Sequence, residues 1–348
     1  MHRFAAALIL LLACTPLLAQ PRAKAATPAK QVTVAALDTK ARSADTAKDG
    51  KSRPGPVAGS TTLHDWCNTI TLAIPQIKLK PCLDAKLEPV YTRSVQGRMI
   101  MLREFKPLQK APSARVLVVG GIHGDELTSV SIVFRWFEQL QLGTGDAAAY
   151  HWRIVPVLNP DGLLARPAKR VNARGVDLNR NFPTYNWLKE APRYWEQSTR
   201  RDPRRYPGTA PASEPESRWL HDEIVRFRPD VIVSIHAPYG VLDFDGPPTG
   251  VEAPTRFGRL HLNRVGVYPG SLGNFGGLKE GIPVVTLELP HAQKMPTETE
   301  LSNVWTDMQR WLRVNLVEKR GGLIPANPVN PSQPPATTPE TPAEENTP

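Results

Sequence analysis

Cysteine is scarce in this chain: 348 residues include three, at Cys14, Cys67 and Cys82. That excludes a scaffold held together by many disulfides. Apart from Cys14, one isolated pair remains, closing a short loop, and in an exported protein such a pair reads as a disulfide between Cys67 and Cys82. Only His64 stands near it, so zinc ligation by the pair is the weaker alternative. Long apolar runs are missing as well. The most extended, Phe4–Leu12, is too short and too lightly flanked to span a membrane. Preceded by Met1-His2-Arg3 and followed by small residues as far as Ala19, it reads as a secretory signal peptide over 1–19. Lipid anchoring at Cys14, after Leu-Leu-Ala, is a minor alternative. The expectation in either case is an exported, periplasmic protein.

Between residues 20 and 60 large apolar side chains are few, and Ala, Lys, Thr and Pro dominate. Such a stretch cannot bury enough surface to offset the entropy of ordering, so a disordered basic linker is expected. Residues 323–348 are rich in Pro, Asn, Thr and Glu and read as a disordered tail. The formal charge is +10, and the arm carries much of it through Lys24, Lys30, Lys40, Lys48 and Lys51. No nucleic-acid motif accompanies that charge, so nucleic acid is not an expected partner. The excess suits contact with the anionic envelope, while a solvated arm is the simpler reading. No internal repeat is evident, and 61–322 has the size of one large α/β domain.

Within that domain, apolar strands hand over to helices at polar residues. Val116–Val119 reads as a buried strand, Gly120-Gly121 as a sharp turn, and Leu127, Val130, Val133, Phe134, Phe137 and Leu140 as one helix face. His123 and Glu126 lie at the handover, where α/β folds place their sites. A His and a Glu three residues apart could supply two ligands of a catalytic zinc, with a third from far along the chain. The plain alternative is an acidic residue facing a helix dipole. Gln96-Gly97 suggests a hairpin within 90–105. Tyr150–Leu158 reads as a second buried strand closed by an Asn159-Pro160-Asp161-Gly162 turn. Residues 185–207 have no assignable structure. Ser213 is the expected N-cap of a helix running to Phe227. The run 230–235 delivers His236, and 283–289 delivers Glu288, a carboxylate that is costly to bury unless paired or functional. A last helix starts at Thr297 with Glu300 completing a capping box. Strands alternating with helices imply a three-layer α/β domain with a central mixed, mainly parallel sheet.

With the motifs GGIHGDE, NPDG, NARGVDLNRNFP, the SEPE helix start, SIH ending at His236, YPGSLGNFGG and PVVTLELP in one order, the sequence resembles the zinc metallocarboxypeptidase family, in its murein peptide amidase-like branch. The resemblance runs from about residue 90 to 319. It implies one zinc ion per chain on His123, Glu126 and His236, with Asp177 orienting His123. It makes Asn179 and Arg180 the receptor of a free terminal carboxylate, Arg170 the group that polarises the scissile carbonyl, Tyr268 a cover over the substrate, and Glu288 the general base and acid for zinc-activated water. Arg166 and Arg174 compete with Arg170 for its role. The implied substrate is a murein peptide or another peptide with a free C-terminal carboxylate, cut between γ-D-glutamate and meso-diaminopimelate. The alternatives are a carboxypeptidase of ordinary C-terminal residues, an aspartoacylase-type deacylase, and an inactive wall-binding module.

Overall fold

Alternation within the strands sets the layering. The computed structural model describes residues 62–318 apart from 108, 110, 248 and 249, all within the compact unit Pro56–Pro348. The expected signal peptide, Cys14, the basic linker, the tail and the outer limits 61 and 322 lie outside the described residues. The strands are β1 (Glu88–Arg93), β2 (Met99–Phe105), β3 (Arg115–Val119), β4 (His151–Val155), β5 (Val231–His236), β6 (Val241–Asp245), β7 (Arg256–Phe257), β8 (Leu260–Leu262) and β9 (Val284–Glu288). The helices are α1 (Leu63–Ala73), α2 (Leu79–Asp84), α3 (Leu127–Gln141), α4 (Pro160–Leu163), α5 (Trp187–Arg193), α6 (Pro215–Phe227) and α7 (Glu298–Leu312). In one sheet the strands lie in the order β1-β2-β4-β3-β5-β9-β6-β8-β7.

Val116 and Val118 of β3 enter one apolar layer, with the buried faces of α1, α3 and α7; Leu117 and Val119 enter the other, with Trp219, Leu220 and Ile224 of α6. Strand β5 divides the same way, Val231, Val233 and Ile235 against Ile232. The sheet is therefore covered on both faces, as the three-layer expectation requires. The β4-β3-β5-β9 block is parallel, as is β6 with β8. The remaining pairs, β1-β2, β2-β4, β6-β9 and β7-β8, are antiparallel. The sheet is thus mixed, as expected, with its central block parallel and antiparallel pairs toward the flanks. Among the described residues no helix is long and apolar enough to cross a membrane.

Helix α3 buries the expected face, and the Thr297–Glu300 capping box opens α7. A disulfide joins Cys67 of α1 to Cys82 of α2 with a Cα–Cα distance of 5.8 Å. Three local readings change. Strand β4 stops at Val155, because Pro156 brings no N–H to a ladder. The NPDG turn is the short helix α4, capped by Asn159 Oδ1 accepting from Gly162 N–H at 2.8 Å. Helix α6 starts at Pro215 with Glu214 as its N-cap, not Ser213. The Ser213 hydroxyl instead donates to Glu214 Oε1 at 2.8 Å and accepts from Asn181 Nδ2 at 3.0 Å. The unassigned 185–207 stretch contains α5, continued by a π-helical turn over Tyr194–Ser198.

Candidate active site

Parallel register brings the carboxyl ends of β3, β5 and β9 to one edge of the sheet, pairing Val119 with Ser234 and His236 with Glu288. The loop after β3 lies tight on α4: a Cβ at Gly124 would come within 2.2 Å of the Gly162 backbone. It leaves Glu126 at the N-cap of α3 with no side-chain capping bond, so its carboxylate is free for other work. His123 Nδ1 lies 2.8 Å from Glu126 Oε1, His236 Nδ1 lies 3.0 Å from Glu126 Oε2, and the two Nδ1 atoms are 3.0 Å apart. All three residues are buried.

The tautomers follow from the outer contacts. Asp177 Oδ1 faces His123 Nε2 at 3.1 Å. Burial opposes ionisation of Asp177, but Arg170 and His123 beside it hold its carboxyl well below the usual range. An ionised carboxylate only accepts, so His123 carries its proton on Nε2 and turns the Nδ1 lone pair inward. His236 Nε2 lies 3.1 Å from Ser234 Oγ, a hydroxyl able to accept its proton and leave Nδ1 facing the triad. Two imidazole nitrogens and a carboxylate, with one donor atom from each within 4.8 Å of the others, form a converging set of acceptors that a cation completes. The nitrogen and oxygen donors fit zinc.

Glu288 stands beside this triad. Its Oε2 is buried without a hydrogen-bond partner among the described residues. Burial is the largest influence on its carboxyl and raises its pKa; His236 pulls the other way and Glu126 adds to the rise. Of the three arginines in question, Arg170 reaches the site, with Nε 3.0 Å from Asp177 Oδ2 and Nη1 3.5 Å from Glu126 Oε1. Arg174 pairs with Glu214, and Arg166 is exposed.

Arg180 is 4% exposed. Its Nη1 donates to the Asn179 carbonyl, its Nε has no partner among the described residues, and its guanidinium lies 4.5 Å from the Tyr268 ring centre. A buried guanidinium with an idle donor can receive a planar anion. Asn179 Oδ1 accepts from Leu272 N–H at 2.8 Å, which leaves its amide nitrogen to donate. Tyr268 is backed by Tyr194, with ring centres 5.5 Å apart, and Trp187 Nε1 donates to the Arg180 carbonyl at 2.9 Å. The 185–207 segment therefore braces Arg180 and Tyr268. Arg204 also ties it to Asp125 in the ligand loop, at 2.8 Å. Sequence reasoning missed Ser234. The signal was its place two residues before His236 on the same strand face. It also missed the buried Asp243 and Asp245 of β6.

This arrangement, a convergent His-Glu-His set with an orphan carboxylate and a buried, partly unpaired arginine at the carboxyl edge of a mixed sheet, fits a metal-dependent hydrolase site. Residues 86–244 match the family model described as "Zinc carboxypeptidase". "Murein peptide amidase A" of Vibrio campbellii is 30% identical over 207 residues, covering 58% of this chain and 78% of that protein. The protein of the same name in Escherichia coli is 34% identical over 155 residues, covering 44% of this chain and 60% of its own length. Carboxypeptidase A from Helicoverpa armigera shares the fold, with a TM-score of 0.52, 18% identity and 72% of each chain covered. The chain belongs to the zinc carboxypeptidase family of metallopeptidases.

Proposed function

We propose that the protein is an exported, periplasmic zinc amidase that hydrolyses the bond between γ-D-glutamate and meso-diaminopimelate in murein peptides. The observation that carries this reading is the meeting of the His123–Glu126–His236 set, the partnerless Glu288 oxygen and the idle Arg180 donor around one strand edge. The relatives named murein peptide amidase A support the substrate class. The Cys67–Cys82 bond supports an oxidising compartment, in keeping with 1–19 as an export signal.

His123 Nδ1, His236 Nδ1 and Glu126 would hold the zinc, which supplies Lewis acidity toward water and carbonyl oxygen. Arg180 and Asn179 bind the free carboxylate of the terminal residue, and this fixes where the preceding amide lies relative to the triad. Tyr268, packed on the Arg180 guanidinium, covers that residue. Glu288 takes the proton lost by the attacking water and returns it to the leaving amine nitrogen, and its raised proton affinity suits both steps. Arg170 stabilises the oxyanion as it develops. Asp177 keeps the proton of His123 on the outer nitrogen. Purified protein should release diaminopimelate from L-Ala-γ-D-Glu-diaminopimelate and act weakly on peptides ending in α-linked Phe, Leu or Arg. Efficient cleavage of the latter with the tripeptide left intact would assign it to ordinary carboxypeptidases.

A further inference from the structure

A cavity of about 540 Å³ lies at the edge of the sheet opposite the triad, where Phe105, at the end of β2, pairs with Trp152 near the start of β4. Helix α3 relates the two places. Glu126 caps its start, and Leu140 and Gln141 at its far end line the cavity. Its fifteen residues, at about 1.5 Å each, separate the two by roughly 20 Å. The cavity therefore has no part in the chemistry above.

Strand β2 supplies one wall. Alternate residues share a face, so Arg103 and Phe105 point the same way, and the Arg103 guanidinium lies 4.7 Å from the Phe105 ring centre. Arg103 Nη1 donates to the Lys86 carbonyl at 3.2 Å, and its Nε is buried without a partner among the described residues. Stacked and pinned in this way, the guanidinium is held in one orientation with donors to spare. Lys86 and Lys106 line the same cavity, and neither ammonium meets a carboxylate among the described residues. Asp84, which also lines it, is paired with Lys80 at 2.6 Å.

Tyr150 is a lining residue that is 1% exposed, and its hydroxyl has no hydrogen-bond partner among the described residues. Burial first, and then the charge of Asp146, raise the pKa of that hydroxyl, so it keeps its proton and can donate. Asp146 itself is engaged by Arg313 Nε at 3.2 Å. Three cations and an idle buried donor thus meet apolar surface, while both carboxylates nearby are already paired. Buried donors without acceptors are costly, and a ligand that brings acceptors removes the cost. One carboxylate would leave much of the positive charge unmatched. A phosphoryl group brings up to two negative charges and three strong acceptor oxygens.

We propose that this cavity is a second binding site, for the phosphoryl group of an organic phosphate whose apolar part lies against Phe105 and Leu140. The proposal is independent of the amidase reading. A soluble phosphate ester and the headgroup of an anionic lipid carry the same chemistry, and two probes separate them. Calorimetry on the zinc-loaded full chain uses phenyl phosphate; sedimentation uses phosphatidylcholine vesicles with and without phosphatidic acid. Phenyl phosphate should bind the native protein, and Arg103→Gln should weaken that binding about ten- to a hundredfold with zinc content unchanged. Lys86→Gln, at an exposed position, should weaken it too and keeps the test decisive if Arg103→Gln fails to fold. Arg180→Met removes the competing anion receptor at the catalytic edge, and the binding should survive it. Capture by phosphatidic acid vesicles that Arg103→Gln or Lys86→Gln weakens would support the proposal with a lipid headgroup as the source; phenyl phosphate binding without vesicle capture would support it with a soluble ester. No phenyl phosphate binding by the native protein would overturn the proposal. Binding that both Arg103→Gln and Lys86→Gln leave intact, or that Arg180→Met abolishes, would also overturn it.

Discussion

Replacing Asp245 with Asn should remove a slope from the stability profile. In the unfolded chain this carboxyl titrates near its ordinary 3.8, whereas in the folded protein burial and the neighbouring Asp243 raise it to about 7. Between those values the folded state keeps a proton that the unfolded state has lost, so stability falls as pH rises. The contribution is whole below the ordinary carboxyl value and is lost as pH climbs through about 7. Some three pH units at roughly 1.4 kcal/mol each give a ceiling of about 4 kcal/mol, and local relaxation brings the expectation to about 2 kcal/mol. Asn keeps the shape and sacrifices no hydrogen bond, since the carboxylate accepts none among the described residues. Urea unfolding of both proteins at about pH 5 and about pH 8 isolates the effect as the change in their difference. The variant should gain on the native protein at the higher pH. An equal difference at both values, or a variant that loses ground at high pH, would show that Asp245 is ionised and paired in the fold.

Glu288→Gln should keep zinc and fold while losing about 10²–10⁴ in turnover, read as diaminopimelate release beside metal content; turnover near the native level would place the base elsewhere. His236→Ala should abolish zinc binding and activity, and full metal occupancy in that variant would remove His236 from the ligand set. Arg180→Met should raise KM for substrates with a free terminal carboxylate far more than it lowers kcat. Amidating the substrate terminus should then harm the native enzyme and hardly affect the variant; equal harm to both would place the receptor elsewhere. Loss of the Cys67–Cys82 bond through Cys82→Ser should cost about 2–4 kcal/mol of stability with zinc content unchanged. Digestion of the native protein without reductant should yield the linked peptides, and free thiols at both positions would refute the pairing.

The strands and the residues that meet at the candidate site were legible because each depends on local pattern. Val116–Val119, the run ending at His236 and the run ending at Glu288 are apolar or β-branched, and their polar residue comes at the end, where a three-layer fold has its open edge. Residues 185–207 were not legible for a tertiary reason. Pro192 lies inside α5, and what fixes the segment is long-range: Trp187 on the Arg180 carbonyl, Tyr194 on Tyr268 and Arg204 on Asp125. The start of α6 failed similarly, since Asn181, far upstream, engages the Ser213 hydroxyl that would otherwise cap the helix. Its Oδ1 also accepts from Glu214 N–H at 3.2 Å and from Ser217 Oγ at 2.5 Å. The partners in such polar networks have no fixed spacing in sequence.

The aspartates of β6 were missed through a default. Alternation of apolar and polar residues, as in Val241-Leu242-Asp243-Phe244-Asp245, ordinarily marks a strand with one face in water. That default fails here. Strand β6 lies between β9 and β8, Leu242 and Phe244 belong to one apolar layer, and Asp243 and Asp245 are buried on the other side. A strand with neighbours on both edges and cover on both faces has no solvent side to which polar residues could be consigned, so each one needs a partner or a ligand. Ser234 meets that demand through His236, and Asp243 partly through the Phe244 amide. Asp245 accepts no hydrogen bond among the described residues, and burial together with the charge of Asp243 pushes its carboxyl up to about 7, so it keeps its proton instead.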